Sequence, residues 1–153
     1  METAKQLSVR LINKPGRLAS MLAALNKGKV SFRALAVMDS GDRGTIRFVP
    51  DDFDAAVNVL KQINIAYDAT NVLLVDVPSQ PGAFRKICER LAADHLNIDY
   101  AYCSFYSEGG AKGGPLAVFK LNDLAKAQKV LSENGSTSAS RRKPGRRPVH
   151  TRR

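Results

Sequence analysis

The chain has 153 residues, with 24 Lys and Arg against 14 Asp and Glu, 44% hydrophobic residues and two Cys. That length suits one ordinary domain or two very small ones, and the composition excludes a collagen-like, wholly disordered or disulfide-scaffold chain. No apolar run is long enough to span a membrane, and METAKQLSVRLINKPG lacks the apolar stretch and cleavage site of a secretory signal, so the expected compartment is the cytosol.

Lys5 to Ile12 is a β-branched and Leu-rich run that stops at a Pro-containing turn, as a strand does. Arg17 to Lys27 carries apolar residues at helical spacing and ends at Gly28, which suits a helix with a C-terminal glycine. Val30 to Met38 and Thr45 to Val49 flank SGDRG as a hairpin would. Asp51 or Asp52 can cap a second helix, Phe53 to Gln62. Ile65 to Thr70 then runs almost directly into a further strand, Asn71 to Val77. The remaining expectations are a helix over Ala83 to Ala93, strands over Leu96 to Tyr106 and Leu116 to Leu121, and a helix over Leu124 to Ser132, with Asn122 or Asp123 as its cap.

These elements form a repeat. A shift of 66 residues places Leu7 on Leu73, Val9 on Val75, Pro15 on Pro81, Gly16 on Gly82 and Leu25 on Leu91. Beyond the glycine-rich SEGGAKGGP the shift becomes 71, and Phe48, Asp52, Ala56, Val59 and Leu60 meet Phe119, Asp123, Ala127, Val130 and Leu131. The expected organisation is thus residues 1–70, residues 71–135 and a basic tail, 136–153. The fold class is α+β: two ferredoxin-like βαββαβ units, each with an antiparallel sheet and both helices on one face. The second unit lacks a run for its fourth strand. Cores this small are marginal alone, so the two units should pack together and the bare sheet face should recruit another chain.

The tail holds seven of the bases and no acid, which leaves 17 bases against 14 acids in the rest. Its single sizeable aliphatic residue and two Pro cannot offset the entropy of ordering, so disorder is expected. It reads either as an arm for nucleic acid or an acidic partner, or as a solvated extension.

Residues suited to catalysis are scarce. His95 and His150 are the only histidines, no His, Cys, Asp or Glu spacing resembles a metal site, and GGAKGGP lacks the Lys-Ser or Lys-Thr of a P-loop. It reads as a floppy hairpin or as a lid. Cys88 on a helical stripe and Cys103 in a strand read as core thiols. Neither an enzyme nor a bound cofactor is expected.

What stands out is the repeated turn, Asn13-Lys14-Pro15-Gly16 and Ser79-Gln80-Pro81-Gly82, each between a strand and a helix. Glycine lets a ligand approach the backbone, and free N–H groups at a helix start suit a carboxylate. Pro and Gly also shape a tight turn with no ligand; recurrence in both units favours binding.

NKPGRLASMLAALNKGKVSFRALAV and SQPGAFRKICERLAADHLNIDYAYC resemble the opening halves of ACT domains, small amino-acid-sensing modules attached to aspartokinases, phosphoglycerate dehydrogenases and other enzymes of amino-acid metabolism. Residues 5 to about 132 resemble a tandem ACT pair with no catalytic domain attached. The resemblance implies a small amino acid bound between paired domains, regulating a partner enzyme. Residue by residue, it places Asn13, Pro15, Gly16 and Leu18 in the loop and Asn97 and Ile98 at the strand start of the opposite repeat. The reciprocal, weaker site uses Ser79, Gly82 and Phe84 with Ser31 and Phe32, with Ser replacing Asn at both polar positions.

Alternation along Asp99 to Tyr106 puts Tyr100, Tyr102 and Tyr106 on one side of a strand. If Ala101, Cys103 and Phe105 face the helices, the tyrosines line the open sheet face and suit a homodimer interface. A second function class stays open: a nucleic-acid-associated protein acting through the tail and the sheet face.

Overall fold

A computed structural model describes residues 1–104 and 114–133. In chain order it contains β1 (Glu2–Ile12), α1 (Arg17–Lys27), β2 (Phe32–Ser40), β3 (Arg43–Pro50), α2 (Phe53–Gln62), β4 (Tyr67–Asp76), α3 (Ala83–Ala93), β5 (Ile98–Ser104), β6 (Leu116–Leu121) and α4 (Leu124–Glu133). Helices α1, α2 and α3 and strand β6 have the bounds expected from the sequence. The glycine-rich hairpin tip, Phe105, Tyr106 and the basic tail lie outside the described residues.

All six strands form one antiparallel sheet in the order β2-β3-β1-β4-β6-β5. The two runs expected on either side of residue 70 are one strand, β4. Its first part pairs with Gln6 to Val9 and its second with Glu2 to Lys5. The position beside β4 where the second unit would carry its own fourth strand is therefore filled by the beginning of β1. Lys5 faces Asn71 in this register, and these two are equivalent positions of the repeat, so a pseudo-twofold axis passes between them.

One face of the sheet carries the helices. Leu7, Val9, Ile46 and Phe48 pack under Met21, Leu25, Ala56 and Leu60 of α1 and α2, all at most 2% exposed. Leu73, Ala117, Phe119 and Leu121 pack with Ile87 and Leu91 of α3 and with Ala127 and Val130 of α4. Three chain reversals end in a non-glycine residue of positive φ: Lys29 (57°), Asn64 (55°) and His95 (57°). Each is followed by an N–H that reaches back five residues, such as Val30 to the Leu25 carbonyl at 2.9 Å, the double-bonded cap that ends a helix in a left-handed residue. Gly28 closes α1 for another reason: its φ is −78°, and a Cβ there would lie 2.5 Å from Val59 Cγ2, so the absence of a side chain makes room for Val59 of α2.

The other face, expected to be bare, is closed within the chain. The sheet curls until its outer strands, β2 and β5, touch. Ala34, Val49, Val72, Leu74, Leu116 and Val118 form a third buried cluster in the interior so created, with Tyr102 against it. Gln6, fully buried, accepts a hydrogen bond from the Tyr102 hydroxyl at 2.8 Å and bonds through Nε2 to the Tyr100 hydroxyl at 2.6 Å. Arg47 of β3 lies 4.1 Å over the Tyr100 ring. In a flat sheet, β3 and β5 would be about 19 Å apart, so these contacts exist only because the halves face each other. Tyr100 and Tyr102 are thus spent inside the chain rather than held out to a second copy.

Candidate functional site

The two Pro-Gly turns have one geometry. Gly16 and Gly82 sit at the starts of α1 and α3 with φ of 84° and 78°, values that favour glycine. The Lys14 N–H bonds the Ile12 carbonyl at 2.9 Å and Ser20 N–H bonds the Gly16 carbonyl at 2.9 Å; the equivalents in the second unit, Gln80 to Pro78 and Lys86 to Gly82, measure 2.8 and 3.0 Å. The first turn is held further by the Asn13 N–H on the Asp42 carbonyl at 2.9 Å.

Helix starts divide into two classes. In α2 the Asp52 carboxylate accepts from the Ala55 N–H at 3.0 Å, and in α4 Asp123 accepts from the Lys126 N–H at 2.9 Å, ordinary side-chain caps. Neither α1 nor α3 has a side-chain cap or an acid in its first turn. Basic residues stand there instead: Lys14 and Arg17 at the first, Arg85 and Lys86 at the second. Uncapped N–H groups, the positive end of the helix dipole and adjacent bases together favour an anion. Around the second turn lies an open hollow of about 430 Å³, lined by Ser79, Pro81, Gly82, Phe84 and Arg85 among others. Phe84 forms one wall and stacks on Phe119 at a centroid distance of 5.6 Å.

The strand starts are clamped in both units, a feature the sequence reading missed. Ser31 N–H bonds Asp51 Oδ1 at 3.0 Å while Asp51 N–H returns to the Ser31 carbonyl at 3.0 Å. Asn97 N–H likewise bonds Asn122 Oδ1 at 3.0 Å, and the Asn97 amide bonds Asp99 at 2.8 Å. The recurrence of Asp51 and Asn122 at the repeat spacing was the available signal. Phe32 is exposed; Leu18 and Ile98 are half-buried against the two helix-side cores.

One chain does not bring the turn of one unit to the strand start of the other. Extending the β4–β6 register puts Asn122, and with it Asn97, level with Thr70 and Gln6. Asn13 is seven residues further along, on the order of 20 Å at strand spacing. The same separation holds Ser79, Gly82 and Phe84 away from Ser31 and Phe32.

Other candidates take structural roles. His95 is the left-handed residue that ends α3. Cys88 is half-buried, but Cys103, expected in the core, is exposed, because it lies on the outermost strand beyond the cover of the helices; burial raises both thiols above their ordinary range. Among the described residues no group of three His, Cys, Asp or Glu could hold a metal ion, and no helix is long and apolar enough to cross a membrane.

Residues 2–140 match the family model described as an ACT domain pair. No curated protein matches the chain. The crystal structure of protein BT0572 from Bacteroides thetaiotaomicron is 31% identical, covering 87% of this chain and 89% of that one at a TM-score of 0.78. The ligand-free regulatory subunit of aspartate kinase from Thermus thermophilus is 15% identical over 87% and 97%, with a TM-score of 0.60. E. coli aspartokinase III, in complex with lysine and aspartate, is 14% identical over 92% of this chain and 32% of its own, with a TM-score of 0.55. The doubled fold, the paired Pro-Gly turns and the family match over nearly the whole chain lead to one conclusion: the protein belongs to the ACT domain pair family.

Proposed function

We propose that the protein is a regulatory module, acting in the cytosol, that binds a small amino acid and transmits its presence to a partner enzyme of amino-acid metabolism. The observation that carries this reading is the contrast between helix starts: two capped by Asp, two left uncapped and basic at the repeated turn. An α-carboxylate suits such a start, and the Asn13 amide can both donate and accept. The aspartokinase III complex with lysine and aspartate supports an amino acid by analogy of fold. Because Asn13 and Asn97 are far apart in one chain, the site joining Asn13, Pro15, Gly16 and Leu18 to Asn97 and Ile98 is completed by a second copy. The reciprocal site, with Ser79 and Ser31 in place of Asn, is the weaker.

A thermal-shift screen of the full chain against the common amino acids tests this. One of them should raise Tm, by about 2.7 kcal/mol of stability at a hundredfold excess over Kd, and Asn13→Ala should remove the shift while leaving the unliganded Tm unchanged. No response to any amino acid, or a response indifferent to Asn13→Ala, refutes the reading. The alternative, a nucleic-acid-associated protein, would act through the tail alone, since Tyr100 and Tyr102 are committed to Gln6.

A further inference from the structure

The repeat builds the same space twice between the halves of the curled sheet and fills only one copy. In the filled copy Val72, Leu74, Leu116 and Val118 pack with Ala34 and Val49, none more than 5% exposed. The equivalent positions hold Gln6, Ser8, Thr45, Arg47, Tyr100 and Lys120. All of these except Gln6 line a cleft of about 470 Å³. Arg10 and Arg43 join them, where the other copy has Asp76 and Gly114.

Register explains the convergence. Arg47, Ser8 and Asp68 stand in one row across β3, β1 and β4, and Thr45 faces Arg10 in the next. Four cations, Arg10, Arg43, Arg47 and Lys120, therefore share the cleft with a single acid, Asp68. Among the described residues none of the four is in an ion pair, and Arg47 Nε is buried without a hydrogen-bond partner. Like charges gathered in a partly enclosed space repel one another, and the repulsion is relieved by a counter-charge.

We propose that this cleft is a binding site for a small phosphate-bearing anion, separate from the amino-acid site at the Pro-Gly turns. Its volume falls in the range of small-molecule sites. The exposed guanidinium forks of Arg10 and Arg43 match phosphate oxygens in pairs, Arg47, held on the Tyr100 ring, adds its charge, and the hydroxyls of Ser8, Thr45 and Thr70 supply further donors. Asp68 can accept from a hydroxyl or amine elsewhere on the same ligand. Polycarboxylates share the attraction to arginine, so the test must separate the two chemistries.

Calorimetry of the full chain with pyrophosphate, and in parallel with citrate, at about 0.15 M salt makes that separation. Pyrophosphate should bind at one site per chain. Its affinity should fall at least tenfold in R10Q/R43Q, which removes two exposed charges and leaves every core intact. S8L/T45L, which installs the leucines of the filled copy, should abolish it with Tm maintained. Asn13→Ala should leave it unchanged, which distinguishes this site from the amino-acid site. Absence of saturable binding, or binding indifferent to both double variants as attachment to the tail would be, overturns the proposal. Citrate binding more tightly than pyrophosphate overturns the phosphate assignment.

Discussion

Gln6 shows how one residue turns a repeat into an asymmetric molecule. Its equivalent in the second unit is Val72, in the apolar interior. A buried amide is tolerated only where its hydrogen bonds are met, and here the hydroxyls of Tyr100 and Tyr102 meet them across the two halves of the sheet. Burial first, and then the neighbouring Tyr100, push the Tyr102 hydroxyl well above its ordinary value of 10.0. Below pH 10 both folded and unfolded chains keep this proton, so the group's contribution to stability is constant. Above it the unfolded chain releases the proton while the folded chain retains it, and stability falls by about 1.4 kcal/mol per pH unit from this group. Urea unfolding between pH 9 and 11 should show that decline, and Tyr102→Phe should make it shallower. An identical slope in the variant would rule out this assignment. The pairing itself was not legible from residue 6, because its partners lie more than 90 positions away.

At the scale of elements, periodicity within a segment proved sufficient for the helices. Arg17 to Lys27, Phe53 to Gln62 and Ala83 to Ala93 each bury one stripe; local sequence narrowed two helix starts to Asp51 or Asp52 and Asn122 or Asp123, of which Asp52 and Asp123 make the caps. Strands were less legible, because a strand extends as far as its partner allows. β1 begins at Glu2, three residues before its apolar run, since β4 offers it backbone groups as far as Leu74. The same pairing fuses the two runs around residue 70 into β4. Deleting residues 2–5 should therefore damage the second unit, although they precede the first. At about 0.5 to 1.5 kcal/mol per lost hydrogen bond, and with about one bond for each paired position from Glu2 to Lys5, the loss should come to about 2 to 6 kcal/mol. Amide exchange should accelerate at Val72 and Leu74 while Val9 and Ile46 stay protected; uniform acceleration would count against a local role for this segment.

For the whole molecule, the doubled topology places each Pro-Gly turn at one end of the sheet and each strand start near the middle. If two copies complete the proposed amino-acid site, the response should depend on protein concentration. Sedimentation with and without the responding amino acid should show association strengthened by the ligand; a monomer that binds it fully would contradict a shared site. The helices and the Pro-Gly turns were legible in the residues alone because each depends on positions a few apart and on local backbone preferences, and the repeat because one pattern recurs 66 residues on. That β1 completes the second unit, that the tyrosines face inward and that four cations meet in one cleft came from the folded chain. Those outcomes depend on strand register and on the curl of the sheet, which join residues as far apart in the sequence as Gln6 and Tyr102 or Arg10 and Lys120. The open face expected from a single unit was lost for the same reason: buried apolar area is gained when the two halves close on each other, and neither half carries that information alone.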